Sequence, residues 1–568
     1  MGKLTIAALA LLLAACSQES GSPTAADAAP QPAAKSTGAS GDDAWRQPLF
    51  DGLGNFELAI TTSSDMARRY FNQGLGLAFG FNHAAADFAF TEATVDDPDC
   101  AMCYWGSALV LGPNVNAAMD PGNAPRAWVL AGKAHDLAMT HGNAKEQALT
   151  AALMARYAET APEDRSSLDQ AYADAMRAVA AAYPDDPDVL ALTAEALMDL
   201  HPWDFWLPDG TIQPWTAEIT GLLETALAID DNHPGAIHLY IHAVEQSQTP
   251  ERAEPYADKL ADITPAAGHL VHMPAHIYMR VGRYHDSTVN NMKATDADTA
   301  FVSACRSNSP IYLAGYVPHN WHFGWITAAI EGWRAQALDM AEGTAAQLTP
   351  ELLRAPGMGV AQHFLMQPIF AHVRFGDWDA ILAAPEPDAD LPYARGIWHY
   401  ARGRALAAKG DLDGARQQAA LLAALRESPE LNDIAFFVDT EKAPRVLEIA
   451  DEFLNGEIAA ADGDLEAGIA HMTRAVALED ALPYNEPPDW YYPARHSLGA
   501  MQLAAGDAAG AEATYRRDLE LMRENGWALK GLELALRAQG RDAEAEAVAA
   551  RFADAWQHAD VQITGSRI

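Results

Sequence analysis

His238 and His242 stand four residues apart in Ile237-His238-Leu239-Tyr240-Ile241-His242, and His272 and His276 repeat that spacing in His272-Met273-Pro274-Ala275-His276. Each member of the second pair follows its counterpart by 34 residues, the period of a tetratricopeptide helix-turn-helix unit. Residues four apart share a helix face, and packed helices lie roughly 8–10 Å apart. The spacing therefore predicts that four imidazoles from neighbouring units converge on one spot of a groove. Neutral imidazole is the commonest ligand for borderline metals. His269 lies one turn before His272 and joins the candidate ligand set. Glu245 lies one turn after His242, and Met273 offers a soft thioether. Tyr240, Tyr278, His319 and His322 are candidates for the surroundings of the centre.

Such a ligand set suits copper or zinc better than calcium or magnesium. Paired histidine-bound coppers would point to oxygen chemistry, with Tyr240 and Tyr278 near at hand. Zinc with an open position would activate a water, with Glu245 as the base. H-x-x-x-H lacks the internal glutamate of H-E-x-x-H, so peptidase chemistry is weakly supported. The competing reading is that the histidines are packing or ligand-binding groups copied from one repeat to the next. Pro274 leaves two geometries open, a kink between His272 and His276 or a helix that begins at Pro274. Ten of the 19 histidines lie between His201 and His322, so the density is regional.

The elements that must position these residues are helical. Alanine is abundant and β-branched runs are scarce. Gly376 and Gly410 are 34 residues apart, as are Gly506 and Gly540, each between two helical stretches where a turn needs positive φ. The expected fold is an all-α solenoid of antiparallel helix pairs enclosing a groove. Two aromatic stretches, 199–215 and 304–325, interrupt the rhythm on either side of the histidine pairs and read as lids or groove fillers. A third irregular run, Tyr484-Asn485-Glu486-Pro487-Pro488-Asp489-Trp490-Tyr491-Tyr492, opens the last repeats.

Residues 1–15 read as a leader, with Lys3 followed by an apolar stretch too short to be a comfortable membrane span. Leu13-Ala14-Ala15-Cys16 resembles the bacterial lipoprotein lipobox. That resemblance implies cleavage before Cys16 and lipid attachment to it, on an outer-membrane protein facing the periplasm. Residues 16–41, rich in Ala, Ser, Gly and Pro, read as a flexible tether. The remainder divides into a helical region at 42–200, a histidine-rich region with aromatic insertions at 201–330, and C-terminal repeats at 331–568.

The chain carries 38 basic and 77 acidic residues, a net charge of −39, which disfavours nucleic acid as a partner. Cys100 and Cys103 form a C-x-x-C that reads as a disulfide in an oxidising compartment; a soft-metal site that includes Met102 is the alternative. No phosphate-binding loop, nucleophile elbow or dinucleotide fingerprint occurs.

F-N-Q-G-L (71–75), C-A-M-C-Y-W-G (100–106), H-M-P-A-H-I-Y (272–278) and N-E-P-P-D-W-Y-Y-P (485–493) together resemble a family of bacterial tetratricopeptide lipoproteins and secreted proteins. The resemblance spans nearly the whole chain and implies the fold but no particular activity. Three functions remain on these grounds: a metal protein that is an enzyme or not, a metal-free scaffold for a protein or peptide partner, and a small-ligand-binding protein. Convergence of His238, His242, His272 and His276 separates the first from the others.

Overall fold

The computed structural model describes residues 46–305, 311–434, 436 and 442–568. The expected leader, tether and Cys16 lie outside them. The described chain is an all-α solenoid of tetratricopeptide-like helix pairs, with isolated bridges such as Asn114–Ala117 and Trp206–Ile212 among its loops. None of its helices is long and apolar enough to cross a membrane.

Local chemistry sets the repeat. Gly410, Gly463 and Gly506 adopt φ of 84–90°, and the aspartate that follows each one caps the next helix. Asp411, Asp464 and Asp507 accept from the backbone N–H of Gly414, Ala467 and Gly510. One residue thus ends a helix in the left-handed region and its neighbour starts the next by satisfying an orphan donor. Further upstream, Asp186 caps Pro187–Met198 by accepting from Val189 at 3.2 Å, with proline at the first helical position. Cys100 and Cys103 are disulfide-bonded at the start of Ala101–Val110, both fully buried.

The helices bury two large apolar clusters. One is built mainly from residues 53–278 and the other mainly from residues 275–527. The superhelix also closes on itself. Trp527 Nε1 donates to the Ala329 carbonyl (2.9 Å), Tyr284 Oη donates to the Arg523 carbonyl (2.8 Å), and the Asp560 carboxylate accepts from the backbone N–H of Arg334 and Ala335. These contacts carry the C-terminal repeats back onto the middle of the chain and set the run at 484–492 against the histidine-rich helices.

Away from the histidines, Arg156 is a buried charge that ties three segments together. It donates to Asp199 (2.5 Å) and to the Pro113 carbonyl (2.8 Å), and lies over the Tyr172 ring. Removing one partner of such a pair strands the other in low dielectric. Arg156→Met is expected to cost about 3–5 kcal/mol in urea unfolding followed by circular dichroism. A change below 1 kcal/mol would show that the ion pair is not what fastens the Asp199 corner.

Candidate metal centre

The Pro234–Val244 helix carries the first pair. His233 caps it, its Nδ1 accepting from Ala236 N–H while Nε2 meets Asp188 at 3.2 Å, so His233 is spent on structure. All eleven residues of the helix are buried. Gly235 lets it press on Phe79, where a Cβ would stand 2.5 Å from the ring. That close approach brings the Phe79 carbonyl to His238 Nδ1 at 2.5 Å.

The second pair straddles a helix restart. Gly268–His272 ends at Met273, and Pro274–Val281 begins with Pro274 at its first position. Of the two geometries open to Pro274, the chain takes the second. Met273 keeps helical angles, φ −51° and ψ −37°, so His272 and His276 still face the same way. Their Nε2 atoms are 2.8 Å apart. His319 comes from Val317–Glu331, just after a π-turn at Tyr312–Tyr316; such turns recur at functional sites. Its Nε2 lies 3.1 Å from that of His272. Buried Asp298 fastens this corner by accepting from Tyr312 Oη (2.7 Å) and Asn320 Nδ2 (2.8 Å). Burial pushes its carboxyl up to about 7.

Two triads result. His238, His242 and His269 form one, and His272, His276 and His319 the other; the ligand nitrogens of each lie within 4.8 Å of one another. For comparison, nitrogens in tetrahedral array around one ion at about 2.0–2.1 Å are roughly 3.4 Å apart. The triads touch: the His242 and His276 ring centroids are 5.8 Å apart, as are those of His269 and His272. They sit at the seam between the two apolar clusters, with Phe81 against the first triad and Phe323 against the second.

The tautomers follow from the acceptors. His238 Nδ1 faces a carbonyl and must donate. His242 Nδ1 faces Glu245 Oε1 at 2.8 Å, and His276 Nδ1 faces Glu245 Oε2 at 2.6 Å. His272 Nδ1 faces Asn291 Oδ1 at 2.6 Å, and Asn291 is held that way round by donating its Nδ2 to the Ser287 carbonyl. With four Nδ1–H groups committed, the four Nε2 lone pairs point inward. Those of His238 and His242 have no partner, and neither nitrogen of His269 has one. Between His272 and His276 two lone pairs face each other at 2.8 Å, a contact that one proton or one cation satisfies.

Burial drives the imidazoles of His238, His242, His269, His272 and His319 below the usual histidine range, that of His319 to about 3. Neutral rings are what metal binding requires. At His276 burial acts the same way but is outweighed by Glu245 and Glu486, which hold it up at about 10. Glu245 is itself wholly buried; desolvation disfavours its charge, and the two imidazoles override that and keep it ionised.

The candidate residues thus separate. His238, His242, His269, His272, His276 and His319 come together, and Glu245 joins both triads through its two oxygens. Because both oxygens are engaged, Glu245 does not have the free geometry of a general base. Tyr240 and Tyr278 do not reach the centre. Each lies two residues from a histidine, which turns it to the opposite helix face; their hydroxyls donate to Glu224 and Asp258, both at 2.8 Å. Met273 is fully buried in the first apolar cluster. His322, one turn beyond His319, meets His363 at 5.4 Å instead.

Other participants had no local signal. Glu486 approaches His276 Nδ1 at 3.3 Å, and Tyr484 donates to Glu245 at 3.3 Å and also to Glu486. Both come from the irregular run at 484–492. Phe81 and Trp203 adopt φ of 53° and 60°, unusual for bulky residues. Both rings pack on His242, Phe81 stacked at 6.1 Å and Trp203 edge-on at 4.9 Å. Trp203, 40% exposed against 2% for His242, makes the aromatic insertion at 199–215 a cover over the first triad. The loop is fixed by Trp206 Nε1 donating to the Ala243 carbonyl.

No protein-family model and no curated protein sequence matches the chain. Among solved structures, the human IFIT1 dimer with m7Gppp-AAAA is similar at 12% identity over 87% of this chain and 91% of that one, TM-score 0.31. The APC/C hetero-tetramer Cut9–Hcn1 is similar at 15% identity over 88% and 76%, TM-score 0.28. Yeast Tom70 is similar at 12% identity over 85% and 90%, TM-score 0.27.

The cover is open to test without any metal. Trp203→Gly removes the ring and suits the left-handed backbone. Diethyl pyrocarbonate should then modify the buried histidines several-fold faster, with far-ultraviolet circular dichroism unchanged. An unaltered rate would mean that reagent reaches the first triad by another route.

Proposed function

We propose that this chain is an envelope-anchored solenoid protein that holds copper or zinc on the histidines at the seam of its two cores. The observation that carries the reading is the split in the ring nitrogens. Outward Nδ1 atoms are tied to a carbonyl, an amide and a shared carboxylate. Inward nitrogens of His238, His242 and His269 are buried with nothing to bond. Packing histidines have no reason for that division, whereas metal-binding histidines do: the second nitrogen's hydrogen bond fixes the tautomer and raises the basicity of the first. A buried polar atom left unpaired costs about 1–3 kcal/mol, and an ion would recover that cost.

Three neutral imidazoles with no thiolate favour copper or zinc over calcium or magnesium. Divalent copper leads on intrinsic affinity, so copper is the first expectation. With copper the open position suits oxygen chemistry; with zinc it would hold a water acidic enough to act as a nucleophile. The residues that would hold the metal are His238, His242, His269, His272, His276 and His319. Glu245 and Asn291 orient four rings between them with the Phe79 carbonyl, and Glu486 stands beside His276 as a second carboxyl group. Anchoring rests on the leader and the lipobox at Cys16. The solenoid itself supports a binding role, since such folds offer long concave surfaces to protein partners, and a metal-free outcome would leave that as the function.

Metal analysis by mass spectrometry on protein purified without a histidine tag should find near-stoichiometric copper or zinc. Absence of both, even after incubation with each ion, would end this reading. The paired change His242→Ala and His276→Ala should abolish retention with little change in circular dichroism. Glu245→Gln offers one acceptor where two are needed, and should weaken metal affinity about 10–100-fold in competition with a chromophoric chelator.

A further inference from the structure

Resting on that reading, we infer that the centre holds two ions side by side, one per triad, and that they share one small anionic ligand between them. Three observations carry this. First, the count: six inward-facing imidazoles are more than one tetrahedral ion uses, and they partition into two sets of three. Second, the coupling: one carboxylate reaches His242 and His276, one from each triad. It can do so only if the two rings stand side by side, which matches their 5.8 Å centroid separation. Third, the charge: Glu245 and Glu486 are the carboxyl groups buried against the rings, at 0% and 7% exposure, and both face His276 Nδ1.

The charge fixes the ligand class. Two carboxylates offset at most half the charge of two divalent ions, and the Arg280 guanidinium, 3.9 Å from Glu486, adds to the excess. Uncompensated charge in a dry site is strongly disfavoured, so the divalent pair needs an anion from outside the chain. Phe81, Trp203, Tyr316 and Phe323 pack directly on the imidazoles, so that anion is small, of the size of hydroxide, and azide is a suitable probe for it. Three imidazoles per ion leave the remaining position of each free for it. Paired ions of this kind act elsewhere as a clamp on attacking and leaving oxygens.

The test separates this inference from the reading beneath it. Titration of the full metal-free protein with copper should saturate at two equivalents. The variant His238→Ala with His269→Ala should retain one, and so should His272→Ala with His319→Ala. Two divalent coppers sharing a ligand should give a weak or absent electron paramagnetic resonance signal, and each one-triad variant a normal mononuclear one. Azide should add a charge-transfer band at one azide per two coppers in the parent protein. Saturation at one equivalent, or two full-intensity independent copper signals with one azide each, would overturn the shared centre and leave a metal protein standing. No binding at all would overturn the metal reading itself. Because the parent protein's stoichiometry and spectrum decide the question, misfolding of either variant would not obscure it.

Discussion

Everything around the seam follows from one constraint: basic nitrogen lone pairs must be kept neutral, dry and aimed. Water would satisfy them cheaply, and a proton would consume them. At four of the rings the chain prevents both. It buries His238, His242, His269 and His272 almost completely, which makes their protonation unfavourable, and it commits the far nitrogen of four rings to fixed acceptors. The unusual features then fall into place as supports. Phe81 and Trp203 accept strained backbone angles to wall the first triad, Phe323 walls the second, and Asp298 binds the π-turn that delivers His319.

A solenoid is well suited to this, because neighbouring repeats present equivalent positions at close range. The first helices of successive units put two pairs of imidazoles into register, and the Pro274 restart begins a new helix without losing the shared face. A plain repeat array would leave the groove open to water. Here the superhelix returns on itself through Trp527, Tyr284 and Asp560 and sets Tyr484 and Glu486 against the centre. The seam between the two apolar clusters thereby becomes an interior.

Local features were legible from residue spacing. The 34-residue offset placed the two pairs on equivalent helices, and Gly-Asp at 410–411, 463–464 and 506–507 marked the turns. His269 followed from lying one helical turn before His272. The reading failed where it ignored the helical wheel: Tyr240 and Tyr278 share helices with the histidines but point the other way. Nor could spacing rank His319 above His322, because that depends on how far along its helix each ring meets a neighbouring repeat. The Phe79 carbonyl and Glu486 were illegible for a different reason. They arrive through backbone approach and superhelical closure, and closure between residues some 240 positions apart leaves no periodic trace in a sequence. The aromatic runs at 199–215 and 484–492 were visible as irregularities, yet only the closed structure ties them to the centre.

The late arrival of residues 484–486 also has a meaning in time. A chain emerging from its N-terminus folds the earlier units first, so all six imidazoles and Glu245 exist as a half-built basin before the last repeats are made. The wall that contains Glu486 is added only when those repeats dock on Tyr284, Ala329 and Arg334. Before that moment the basin is open to ions; after it, exchange has to wait for a local opening of the docked end. On the proposed metal reading, maturation has a natural order, with cargo first and closure second, and the final helices act as a seal set after filling.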